Sequence, residues 1–91
     1  MPKVTIILPN YNHQEYIEQR IDSILAQEFQ NFELIILDDA SHDHSTNLIE
    51  KYLHDDRIKE FVVNDQNSGS TFVQWEKGLQ MAAGDYIWIA E

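Results

Sequence analysis

The sequence predicts an α/β fold, three layers deep (α/β/α), with a mainly parallel sheet and the order βαβαβαβ. Two observations carry that prediction. Short apolar runs alternate along the chain with segments whose apolar residues recur at helical spacing. The runs themselves are nearly all apolar rather than cleanly alternating, which is the pattern of parallel strands buried on both faces.

The first run, Val4 to Leu8, is β-branched, bounded by Pro2 and Pro9, and too short for a helix, so it reads as a buried strand. Ile17, Ile21, Ile24 and Leu25 then form one apolar stripe, predicting a helix from His13 or Gln14 to about Gln27. Asn12 is read as its N-cap, with Glu15 at capping-box spacing. Phe32 to Leu37 is the second strand, ending abruptly at Asp38-Asp39. Leu48, Ile49, Tyr52 and Leu53 make the next helical stripe, capped by Asp43 or Ser45. Ile58 to Val63 alternates weakly and runs into the polar loop Asn64 to Ser70. Phe72, Trp75, Leu79 and Ala82-Ala83 return to helical spacing, Gly84 is the expected stop, and Tyr86 to Ala90 is the last strand.

Composition bounds what such a fold can bind. The chain has 91 residues, 6 Lys+Arg against 16 Asp+Glu, and a net charge of −10. That length holds one domain, which buries roughly 60–70% of its unfolded surface. With the basic residues few and scattered, nucleic acid and anionic membranes are excluded as expected partners. A 43% hydrophobic and 24% charged composition is that of a globular domain, not a disordered one. The absence of cysteine excludes disulfides and thiolate metal sites and fits a reducing, cytoplasmic setting. No apolar run approaches the roughly 20 residues of a membrane span, and no leader of signal-peptide form precedes Val4.

In a doubly wound sheet, ligands bind outside the carboxyl ends of the strands. Here those ends are Pro9-Asn10-Tyr11-Asn12, Asp38-Asp39-Ala40-Ser41, Asn64 to Ser70, and Glu91. Tyr11 offers a flat face for a base or sugar, and Asp38-Asp39 can accept hydrogen bonds from ring N–H or ribose hydroxyls. Each segment alone is equally the chemistry of a turn or a helix cap; it is their joint placement at neighbouring strand ends that favours a ligand. His42-Asp43-His44 suggests a metal, but it has no third ligand at a fixed spacing and reads better as a solvated loop. Phe72, Trp75 and Trp88 read as packing residues. Neither GxGxxG nor GxxxxGK[ST] is present, so dinucleotide redox chemistry and P-loop hydrolysis lose their main warrant.

Val4-Thr5-Ile6-Ile7-Leu8-Pro9-Asn10-Tyr11-Asn12, Ile21 to Gln27, Asn31 to Ser41, Asn67-Ser68-Gly69 and Ala83-Gly84-Asp85-Tyr86-Ile87 together resemble the opening of a family 2 glycosyltransferase of the GT-A fold. The blocks come in the family's order along essentially the whole chain. The resemblance implies a Rossmann-like sheet of the nucleotide-diphospho-sugar transferase type, and transfer of a sugar from a nucleotide-diphosphate donor to an acceptor hydroxyl, as in cell-surface polysaccharide biosynthesis. It implies that Pro9 and Tyr11 frame the nucleobase with Tyr11 stacked on it, and that Asn10 lies between them in the same segment. Asp39 would accept the base's ring N–H, Asp38 would support the base and ribose end, and Asn67 and Gly69 match the family's NxG loop near the donor. A UDP-type donor is the expected partner.

The resemblance also implies a divalent metal, Mg or Mn, held by an acidic DXD-type motif after the fourth strand. Glu91 falls where that motif would begin. Where the family commonly shows an Arg-Asn pair in the third helix, the corresponding stretch here reads Gln74-Trp75-Glu76-Lys77-Gly78. The 91-residue chain is therefore expected to be the donor-binding half, catalytically inactive by itself, with no catalytic residue of its own and no complete metal site. A homo-oligomer through the edge of the Tyr86 to Ala90 strand is expected, because that apolar edge would otherwise face water. Two other classes fit less of the sequence: a non-catalytic nucleotide-binding or protein-interaction module, and a receiver-like switch, whose acidic pair would instead follow the first strand.

Overall fold

The computed structural model describes residues 4–12, 14–64 and 71–90. The order is β1 (Val4–Asn10), α1 (Ile17–Ala26), β2 (Phe32–Asp38), α2 (Ser45–Glu50), β3 (Ile58–Val63), α3 (Thr71–Met81) and β4 (Tyr86–Ile89). All pairings are parallel and the sheet order is β3-β2-β1-β4. The chain walks outward from β1 to β3, then returns to the other side of β1. Parallel crossovers are almost always right-handed, so this reversal moves the covering helix to the opposite face.

The core divides as that topology requires. On one face Ile6, Leu8, Leu34 and Ile36 pack against Ile17, Ile21 and Ile24 of α1 and Ile49 of α2. On the other, Ile7, Ile35 and Leu37 pack with Val62, Ile89 and, from α3, Met81. β2 is buried along its whole length, since it has a strand on either side and a helix layer on each face. The α/β, mainly parallel sheet expected from the apolar runs is present.

Close approach of α3 depends on Gly78, whose position would bring a Cβ within 2.6 Å of Ile7 Cδ1. Gly84 was expected to end that helix. The helix ends at Met81 instead, and Gly84 sits where a Cβ would meet the Thr5 backbone nitrogen at 2.6 Å. Its N–H donates to Thr5 Oγ1 at 2.8 Å, and Ala83 N–H donates to Glu33 at 2.7 Å. This turn fixes the register in which β4 joins β1, with Val4 opposite Tyr86.

Two further clamps hold the amino-terminal end of the sheet. Arg57 pairs with Asp55 at 2.6 Å and donates to the Leu25 carbonyl at 2.8 Å, tying the end of α1 to the start of β3. The Arg57 hydrogen bond holds the Asp55 carboxyl down at about 2, against the opposing effect of burial. Tyr52 Oη donates to Asp22 at 2.8 Å, joining the α2 side to α1; burial and that carboxylate push the phenol up to about 12.

The first helix starts later than its periodicity suggests. Asn12 is not its N-cap: the residue at that position is Tyr16, no side chain caps the helix, and Glu15 completes no capping box. Asn12 lies in the left-handed region (φ 53°) and serves the loop described below. Leu53 also departs from its expected stripe and is exposed. Among the described residues no helix is long and apolar enough to cross a membrane.

Candidate functional site

The carboxyl ends of β1 and β2 lie side by side, with Asn10 directly opposite Asp38. The strands continue beyond the ladder through a bond from Asp39 N–H to the Asn10 carbonyl at 2.9 Å. Asp38 is wholly buried, and its carboxylate receives three hydrogen bonds. It accepts Asn10 Nδ2 at 2.7 Å, Ser41 Oγ at 2.6 Å and Ser41 N–H at 2.9 Å. The last two bonds close the loop Asp38 to Ser41 over Ala40, whose positive φ of 61° costs a non-glycine residue about 1–2 kcal/mol.

Side chains then zip the two loops together. Ser41 Oγ accepts Asn12 N–H at 2.9 Å, and Asn12 Oδ1 accepts His42 N–H at 2.7 Å. One step further out, Asp43 Oδ2 accepts Gln14 N–H at 2.9 Å while Gln14 Oε1 accepts His44 N–H at 2.8 Å. Asp43 also accepts Ser45 N–H and Oγ at the start of α2. Burial would raise the Asp43 carboxyl, but these donors outweigh it and hold its pKa below the usual value. Asn12 can occupy the left-handed region cheaply because a short amide side chain tolerates it.

The result is a rigid double loop with one ring standing on it. Tyr11 is 39% exposed, and the His42 ring meets it edge-on at 6.5 Å between centroids. Pro9 is half-buried, and Asn10 is buried with its Oδ1 lacking a hydrogen-bond partner. Asp39 is 6% exposed and accepts Asn64 Nδ2 at 2.8 Å. Asn64 in turn donates its N–H to the Asp38 carbonyl at 2.8 Å and accepts a hydrogen bond from Lys77 of α3. Three strand ends and one helix thus meet around Asp39.

Of the residues expected at the site, Pro9, Asn10, Tyr11, Asp38 and Asp39 are brought together here. Asn67, Gly69 and Glu91 lie outside the described residues, as do the side chains of Phe72 and Trp75. Ser41, Gln14, Asn64 and Lys77 were not singled out from the sequence. Ser41 had a local signal, standing three residues after an Asp, the spacing at which a capping side chain accepts a backbone N–H; the contacts of the other three cross between distant segments and leave no local trace. His42 and His44 are exposed, and among the described residues no group of three His, Asp or Glu could hold a metal ion. A separate open cleft of about 520 Å³ lies between α1 and β4, walled by Tyr16, Arg20, Ile24 and Trp88.

The model of glycosyl transferase family 2 matches residues 5–90. An uncharacterized glycosyltransferase of Haemophilus influenzae is 39% identical over 96% of this chain and 34% of its own length. The Bacillus subtilis protein TuaG, a putative teichuronic acid biosynthesis glycosyltransferase, is 35% identical over 94% of this chain and 34% of its own. Among solved structures, S. aureus TarS in complex with UDP-GlcNAc superposes with a TM-score of 0.85 at 28% identity, covering 97% of this chain and 26% of that one. The chain spans about a third of the length of these curated relatives. With the family pattern matched from the first strand to the last, and the parallel sheet and its strand-end loops in place, this chain belongs to glycosyl transferase family 2.

Proposed function

We propose that the chain is the donor-recognition half of an enzyme that transfers a sugar from a nucleoside diphosphate to an acceptor hydroxyl. The observation that carries this reading is the pairing of Tyr11 and Asp39 at adjacent strand ends, an exposed ring beside a nearly buried carboxylate. A pyrimidine base needs one flat platform and one acceptor for its ring N–H. Tyr11 supplies the platform. Asp39 supplies the acceptor, a carboxylate having about four lone-pair sites and no donor. Asn10 and Asp38 hold the two loops in register, Pro9 frames the base together with Tyr11, and Asn67 and Gly69 are assigned to the donor side by their place in the family pattern. That TarS is seen with UDP-GlcNAc supports a uridine nucleotide as the donor.

The described residues do not fit a metal. The divalent ion implied for the whole enzyme would need ligands beyond them, and no step of transfer is assigned to this chain. The non-catalytic module is not favoured by relatives described as glycosyltransferases. A cytoplasmic setting belongs to the same proposal and rests on the absence of cysteine.

Calorimetric titration with UDP, with and without Mn²⁺, tests the reading. Weak, metal-independent binding is expected, reduced about tenfold or more in Tyr11→Ala and in Asp39→Ala, since stacking and a charged hydrogen bond are each worth about 1–3 kcal/mol. Binding that survives both substitutions, or none at millimolar UDP, would overturn it.

We also propose that β4 pairs with a second copy of the chain. Among the described residues it is an edge strand, and Ile87 and Trp88 are 43% and 46% exposed beside the α1 cleft. Light scattering should give a dimer that Trp88→Lys dissociates; a monomer at high concentration would count against it.

A further inference from the structure

We propose that Asn64 and Lys77 are positioning residues that fix the Asp39 carboxylate for a nucleobase presenting a ring N–H. The inference rests on the reading of Asp39 as the group that takes that N–H.

The geometry is a three-member chain running from helix to strand end. Lys77 of α3 donates to Asn64 Oδ1, and Asn64 Nδ2 donates to Asp39 Oδ1 at 2.8 Å. An ammonium carries three donors and no acceptor. It therefore selects the oxygen of the Asn64 amide and turns the NH₂ group toward Asp39. Reversing the amide would set its oxygen against the carboxylate and its NH₂ against the ammonium, two repulsive contacts in place of two bonds. The rest of Asn64 is already held, since its N–H donates to the Asp38 carbonyl at 2.8 Å. Lys77 reaches this point because its neighbour Gly78 lets α3 press onto Ile7.

Such a chain has consequences for specificity. A carboxylate held in one orientation rewards a base whose edge offers N–H, as uracil does. It penalises one that offers a bare ring nitrogen, as cytosine does, because two acceptors then face each other. In a chain of net charge −10, the Lys77 ammonium also supplies positive charge next to the acidic strand ends.

The test measures dissociation constants for UDP and CDP with the 91-residue chain, together with thermal melting of each variant. Lys77→Met is expected to weaken UDP about three- to tenfold while changing CDP little, so that the UDP:CDP preference narrows. Lys77→Arg, which keeps a cationic donor, is expected to restore most of the preference. In the double variant with Asp39→Ala, loss of Lys77 should cost nothing further, because the carboxylate it positions is gone. If Lys77→Met melts before binding can be measured, Asn64→Ala is read the same way. An unchanged UDP:CDP ratio in a folded Lys77→Met variant, or losses that simply add with Asp39→Ala, would overturn the inference and leave the role of Asp39 standing. UDP binding indifferent to Asp39→Ala would remove both together.

Discussion

Asp38→Ala is expected to lower the unfolding free energy by about 2–4 kcal/mol and to abolish UDP binding in whatever fraction stays folded. The carboxylate is wholly buried and receives three hydrogen bonds, from Asn10 Nδ2, Ser41 Oγ and Ser41 N–H. Alanine leaves those donors without their acceptor around a position that is itself wholly buried. Asn10 suffers most, because it is 2% exposed and its Oδ1 already lacks a partner, so its amide would lose its strongest remaining bond. The substitution also unlatches Ala40, whose left-handed backbone is held by the Asp38 to Ser41 closure. With that closure gone, Ser41 no longer presents its Oγ to Asn12, and the loop carrying Tyr11 separates from the loop carrying Asp39. Asp38→Asn, which keeps the shape but turns one acceptor into a donor, should fall between wild type and Asp38→Ala. Urea unfolding at neutral pH checks both; a loss below about 1 kcal/mol for Asp38→Ala would mean that the loops are held by something else.

The same residues show what a sequence displays and what it conceals. β1, β2 and α1 were legible because continuous apolar runs and a 3.6-residue stripe are each dictated by which faces are covered, and coverage here is complete. Tyr11, Asp38 and Asp39 were legible as strand-end residues because an apolar run must stop where the sheet stops. Their division of labour came only from the family resemblance. Asp38 points inward and is consumed by the loop, whereas Asp39 looks toward Asn64 and α3, and nothing in an Asp-Asp pair says which does which. Asn12 was misread as a cap for a related reason. Asparagine suits both an N-cap and a left-handed turn, and the choice was made by Ser41 and His42, far away in sequence. Lys77 was overlooked since a lysine on a helix reads as a solvated charge until the strand end beneath it is known.

Glu33 is the other concealed residue, and replacing it is the second large effect expected. It interrupts the apolar run Phe32 to Leu37, yet it is only 4% exposed. Its Oε2 accepts Thr5 Oγ1 at 2.5 Å and Ala83 N–H at 2.7 Å, and Lys59 stands 3.2 Å from its Oε1. Burial by itself would raise the Glu33 carboxyl, but the donors from Thr5, Ala83 and Lys59 outweigh it and bring the pKa below its ordinary 4.5. A carboxyl whose folded pKa is lowered contributes stability that is fully present above the unfolded value and is lost as pH falls from there through the folded one. Wild type should therefore lose stability progressively below about pH 4.5, and Glu33→Gln, with no charge to titrate, should show a shallower loss over that window. Glu33→Ala should cost about 2–4 kcal/mol at neutral pH, because Thr5 is wholly buried and the Ala83 N–H loses its acceptor, while half-exposed Lys59 can turn to water. The consequence reaches the opposite end of the sheet. Ala83 and Gly84 form the turn that delivers the chain from α3 to β4, so freeing it loosens both the helix that carries Lys77 and the strand that flanks β1 at the reversal point. Hydrogen exchange should then rise first at Ala90, whose N–H bonds the Ile7 carbonyl at 2.8 Å, ahead of β2. Protection at Ala90 unchanged in Glu33→Ala, or acid sensitivity equal in wild type and Glu33→Gln, would show that the turn holds without its buried carboxylate.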